Sequence, residues 1–151
     1  MAFRREWLQR IGGFDTALDV GTPSHGAGDL DVFHRTLAAG GTARYEPTAL
    51  VWHYHRREMA ALQRQLMDNG RAFGVYLLSR VRHENAGWPV LRYAVATWLR
   101  WLVLRVCRRV LRREKLPLPL QTWEWLGMLQ APLAYLATYR NDLRIRQASK
   151  P

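Results

Sequence analysis

The sequence predicts a partial α/β chain in two portions. Helices and a few short strands occupy residues 1–82, and amphipathic α-helices occupy 83–151. Three observations predict this. "TARYEP" and "TALVWHYH" read as short strands, with Pro47 marking the turn between them. Apolar residues recur at helical spacing before and after them. After "HENAGWP" the composition turns basic: Val90 to Arg113 holds seven arginines and no acidic residue. A length of 151 residues suits one domain with a core of its own.

The elements follow in order. Arg4 to Ile11 makes a short helix with Trp7, Leu8 and Ile11 on one side, and "GG" stops it because glycine supplies a left-handed C-cap. Phe14, Ala17 and Leu18 form a small apolar cluster. The loop "DVGTPSHGAGD" brings up Asp29. From Leu30 to Ala39 the residues Leu30, Phe33, Leu37 and Ala38 repeat like a helix, which "AGG" ends. After the strands, Arg57 to about Arg82 is helical, with Ala61, Leu62, Leu66, Phe73, Tyr76 and Leu77 facing inward. Gly70 and Gly74 weaken that helix and allow a bend or close packing.

In the basic helix, Val95, Leu99, Leu102, Val106 and Val110 share one face, and Arg105, Arg108, Arg109 and Arg112 another. "KLPLPLQ" breaks it. "TWEWLGMLQAPLAYLATYR" is a second amphipathic segment, kinked near Pro132.

Charge narrows the partners. Lysine and arginine total 23 against 12 acidic residues, a formal net charge of +11. The only lysines are Lys115 and Lys150, so arginine carries nearly all of it. Arginine grips phosphate in a fork while its stem lies on apolar surface. The arginines stand opposite a wide apolar stripe and beside Trp98 and Trp101, which fits a helix lying in a membrane interface. No uncharged run approaches the ~18 apolar residues of a spanning helix. No nucleic-acid motif is present, so no nucleic-acid partner is expected. The single Cys107 excludes an intrachain disulfide and reads as a buried or lipid-facing thiol. The opening "MAFRREWLQRIGGF" lacks the apolar run of a signal peptide and reads as the middle of a domain.

Two stretches carry chemistry. In "GAGDLD", Gly26 and Gly28 permit close approach of a ligand to the backbone. Asp29 stands where the loop enters a helix, and Asp31, two residues on, points elsewhere. Asp29 fits both an N-cap and a general base, and the local pattern alone favours the cap. In "YEPTALVWHYHR", a strand would put His53 and His55 on one face, able to hold a metal or a phosphate. From the local pattern alone, a polar face near a sheet end is the favoured reading. Arg56 and Arg57 extend the positive charge.

Taken in order, "MAFRREWLQRIGGFD", "GTPSHGAGDLDVFHRTLAAGG" and "YEPTALVWHYHRR" resemble the C-terminal half of a family-2 glycosyltransferase. The resemblance covers roughly residues 1–80 and extends loosely through "LGMLQAPLAYLATYR". It implies a nucleotide-diphospho-sugar transferase fold and inverting transfer of a sugar to an acceptor hydroxyl. Asp29 then matches the general base and Asp31 supports it. Gly28, His55 and Arg56 contact acceptor or diphosphate, and His53 approaches a metal, Mg2+ or Mn2+. Many members have glutamate where this sequence has Gly28.

The resemblance further implies a nucleotide-sugar donor and an acceptor of unspecified kind. Residues 1–82 would be the acceptor-side portion, at the cytoplasmic face of a membrane. No Asp-x-Asp precedes "MAFRRE". The donor-binding half is therefore expected elsewhere, as a separate chain, and this chain alone is expected to turn over little. The alternative is a non-catalytic, basic, amphipathic peripheral-membrane or interaction protein.

Overall fold

The computed structural model describes residues 1–54, 58–83, 87–111 and 118–148. Among these residues the chain is helical. Helix α1 (Arg5–Arg10) is followed by one 3₁₀ turn (Thr16–Leu18), then α2 (Gly28–Ala38), α3 (Met59–His83), α4 (Gly87–Val110) and α5 (Leu118–Ala148).

The α/β expectation is thereby corrected: no strand forms among the described residues, and a nucleotide-diphospho-sugar transferase fold is not what they build. A strand keeps its N–H and C=O groups satisfied only by pairing with a neighbour. Residues 42–54 find none here. Tyr45, Val51, Trp52 and Tyr54 lie exposed along them. The turn at Pro47 does form: Glu46 accepts from the Thr48 hydroxyl at 2.6 Å and from its backbone N–H at 3.2 Å. Those bonds from Thr48 hold the Glu46 carboxyl below its ordinary pKa.

The core is the α3–α5 pair, with α4 against α3. Small residues make it. A Cβ on Gly70 would collide with the Glu124 carbonyl, one on Gly74 with Ala131, and one on Gly127 with the Met67 carbonyl. Of the bend and the close packing open to Gly70 and Gly74, close packing is what they supply. Around the seam, Leu18, Val75, Ala131 and Ala134 form one buried cluster, with Tyr135 against it. Ala27, Ala72, Tyr76 and Leu77 form a second, backed by Phe73, Val90, Leu91, Ala94 and Met128.

Two helices bury a different face from the one their apolar residues mark. In α2 the buried residues are Asp31, Val32 and Thr36, while Leu30, Phe33 and Leu37 are exposed. In α5 the small residues face α3, and Leu126, Leu129, Leu133 and Leu136 form an exposed stripe. The backbones approach too closely at the seam for a leucine to fit. α5 runs through Pro132 as one helix. On α4, Val95, Leu99 and Val110 of the expected apolar face are exposed, as is Cys107. No helix of the described residues is long and apolar enough to cross a membrane.

Candidate functional site

The site is built at the start of α2. Thr22 and Ser24 shape the loop before it. The Thr22 hydroxyl bonds the Asp19 carbonyl at 2.7 Å and meets the Ser24 hydroxyl at 2.7 Å. Ser24 is fully buried and bonds the Gly26 carbonyl at 3.2 Å. The chain then turns sharply. His25 takes φ 62° and Ala27 φ 81°, left-handed conformations unusual for residues with a side chain, and Gly26 takes φ 142° between them. Such strain persists only where its surroundings hold it, and active sites are a common place for it. A Cβ on Gly28 would lie 3.3 Å from the Leu18 carbonyl, so its glycine lets α2 start against the 3₁₀ turn.

Asp29 follows. The N-cap is Ala27, and it makes no side-chain capping bond. Asp29 is therefore inside the first turn rather than at the cap. Its carboxylate accepts from the Leu30 N–H at 2.8 Å, and the residue is exposed. Negative charge in a helix's first turn is favoured by the backbone dipoles. The group is thus steadied without being covered.

Asp31 has the opposite environment. It is 0 % exposed. Arg35 meets one carboxylate oxygen through Nε at 2.8 Å and Nη2 at 2.6 Å. Arg80, from α3 and itself buried, meets the other at 2.6 Å. Arg35 continues through Nη1 to the Ile11 carbonyl and through Nη2 to the Gly13 carbonyl at 2.6 Å. This cluster ties α2 to the "GG" turn after α1 and to α3. Asp31 is held away from solvent and positions the helix that carries Asp29. Beside the loop, His25 Nδ1 lies 3.4 Å from Asp68, which lies 3.6 Å from Arg71.

Gly28, Asp29 and Asp31 come together at one helix start, as their spacing demands. His53 stands on the exposed segment 42–54. No strand forms through His53 among the described residues, so the strand expected to carry it is absent there. His55, Arg56 and Arg57 lie outside the described residues. Mg2+ and Mn2+ favour oxygen ligands in a near-octahedral set. Among the described residues no three His, Cys, Asp or Glu side chains gather in a way that could hold such an ion.

Sequence reasoning missed Arg35, Arg80, His25 and Asp68. The spacing of four between Asp31 and Arg35 is a readable signal for an ion pair along a helix. Nothing local marks Arg80, which arrives from α3.

Comparison with known proteins points to one class, the glycosyltransferases. The chain is 29% identical over 104 residues to the "Pre-mycofactocin glycosyltransferase" of Mycobacterium tuberculosis, in strains CDC 1551 / Oshkosh and ATCC 25618 / H37Rv. The shared stretch is 68% of this chain and 20% of each relative, so the chain spans about a fifth of the length of the curated relatives it matches. No family model matches the chain. No solved structure matches it.

Proposed function

We propose that this chain is the acceptor-facing part of an inverting glycosyltransferase of the family-2 type and that Asp29 is its general base. The observation that carries the reading is the stretch shared with a glycosyltransferase, read together with an exposed carboxylate held on a strained loop–helix junction. The acceptor hydroxyl oxygen attacks the anomeric carbon of a nucleotide-sugar donor. A new C–O bond forms on one face as the bond to the diphosphate breaks on the other. The hydroxyl proton passes to the Asp29 carboxylate, which must lie within hydrogen-bond reach. The departing nucleoside diphosphate carries negative charge that positive groups stabilise. His53, His55 and Arg56 are the residues of this chain proposed for that task. Residues outside this sequence bind the donor, and the acceptor side works at the cytoplasmic face of a membrane.

The test uses the protein in its native assembly. A tag on the chromosomal copy allows isolation with whatever it binds. Labelled UDP-, GDP- and dTDP-sugars are then supplied with a membrane extract as acceptor. Label should enter the extract with one of these donors and stop entering with Asp29→Asn. Incorporation indifferent to Asp29→Asn would remove the base assignment, and no incorporation from any donor would remove the transferase.

A second reading is a non-catalytic peripheral-membrane protein. It is favoured by the exposure of Val95, Leu99, Val103, Leu104 and Val110 on α4, beside exposed Arg100 and Arg108. Flotation with anionic vesicles at low salt tests it. That reading requires binding that survives replacement of Asp29 and His53, and it is lost if the chain stays with the pellet.

A further inference from the structure

The "GGFD" turn, the 3₁₀ turn, Arg35 of α2, α3 and α5 line an open cavity of about 560 Å³, and Asp29 is not among its described lining residues. That volume lies within the ~300–1,000 Å³ usual for small-molecule sites. Its wall combines three chemistries. Hydroxyls come from Thr16, Ser79 and Thr138, carboxylates from Asp15 and Asp142, and aromatic rings from Phe14, Tyr135 and Tyr139.

The charges decide what the cavity suits. Arg35 and Arg80 also line it, but both guanidinium groups are turned to Asp31, and Arg35 to two backbone carbonyls besides. Arg82 sits over the Tyr139 ring at 4.1 Å. Among the described lining residues the charges are Arg35 and Arg80 against Asp15 and Asp142, so in a chain of net charge +11 that part of the wall is formally neutral. An anion would meet two carboxylates and arginines already engaged. A neutral ligand rich in hydroxyls would meet donors and acceptors in mixture, with ring faces for its C–H surface. The Thr138 hydroxyl, on a residue 4 % exposed, has no hydrogen-bond partner among the described residues. Buried hydroxyls are ordinarily bonded, so this one points to a polar occupant.

We infer that this cavity binds a neutral polyhydroxylated ligand of the sugar class, at a site separate from Asp29. The inference rests on the wall of the cavity and stands whether or not the chain takes part in glycosyl transfer.

The probes are glucose, trehalose and cellobiose, with glucose 6-phosphate and glucosamine as charged counterparts. Saturation-transfer NMR is recorded on the full chain in a zwitterionic detergent that has no sugar headgroup. At least one neutral sugar should receive saturation at millimolar concentration, and the phosphorylated sugar should not. Thr138→Val combined with Ser79→Ala should weaken binding by about tenfold, at roughly a factor of several for each lost hydrogen bond. Ala17→Phe, which fills a half-buried position on the wall, should abolish it. Circular dichroism establishes that each variant is folded. Asp29→Asn should bind as the unaltered chain does, which separates failure here from failure of the proposed base. Absence of transfer to every neutral sugar, preference for the phosphorylated or amino sugar, or equal transfer in folded Ala17→Phe would each overturn the inference.

Discussion

The seam between α3 and α5 and the segment 42–54 are opposites. The seam is poor in large side chains and deeply buried, with backbones meeting at Gly70, Gly74 and Gly127. The segment is rich in them: Tyr45, Leu50, Val51, Trp52 and Tyr54 are each more than three-quarters exposed. Apolar content alone would rank the two the other way. What separates them is a partner. Helices satisfy their own backbone and need only a matching surface, which small residues provide at close range. Extended chain must find a neighbouring strand as well. Among the described residues, the seam finds what it needs and the segment does not.

Substitutions sharpen the contrast. The largest effect is expected at the ion cluster that fixes α2 against α3. Asp31→Ala leaves Arg80 buried without its carboxylate and should cost about 3–5 kcal/mol, read by chemical denaturation. A stability change under 1 kcal/mol, on the order of an exposed pair, would show that the cluster is not buried in solution.

Next comes the seam itself. Gly127→Val drives a side chain into the Met67 carbonyl, and backbone cannot swing aside as a side chain can. We expect a loss of about 3 kcal/mol, the upper end for overpacking. A fully tolerated valine would place α5 farther from α3 than described.

The exposed regions should respond least. Leu129→Gln with Leu133→Gln, on the exposed outer stripe of α5, should change the melting temperature little. Trp52→Ser, at 92 % exposure, should shift stability by no more than about 0.5 kcal/mol. A large loss at Trp52 would mean that the segment is buried in solution and would erase the contrast with the seam.

The sequence made the helices legible because their signals are local. α1 and α2 lie close to their expected spans, and Gly12, with φ 83°, ends α1 as the "GG" pair suggests. Faces were harder to read. Leu30, Phe33 and Leu37 mark an apolar stripe on α2, yet the helix buries Asp31. Burying a carboxylate requires cations, and one of them, Arg80, lies 49 positions away in sequence, beyond the reach of any local pattern. α5 misleads for the reverse reason, since close approach of backbones selects glycine and alanine where hydrophobicity would place leucine. The strands failed because alternation marks a capacity to pair and does not supply the neighbour. At the site, the spacing in "GAGDLD" located both aspartates, but only the fold separates an exposed Asp29 from a buried Asp31.

One comparison tests that separation of Asp29 from Asp31 directly. Asp29→Asn and Asp31→Asn are each introduced into the chromosomal copy, and sugar transfer is measured in the isolated assembly alongside thermal stability. Asp29→Asn should leave the melting temperature within error and lower the transfer rate by about 10²–10⁴-fold, the usual scale of general acid–base catalysis. Asp31→Asn should lower the melting temperature, with transfer falling only as folded protein is lost. Normal transfer by folded Asp29→Asn would contradict the account.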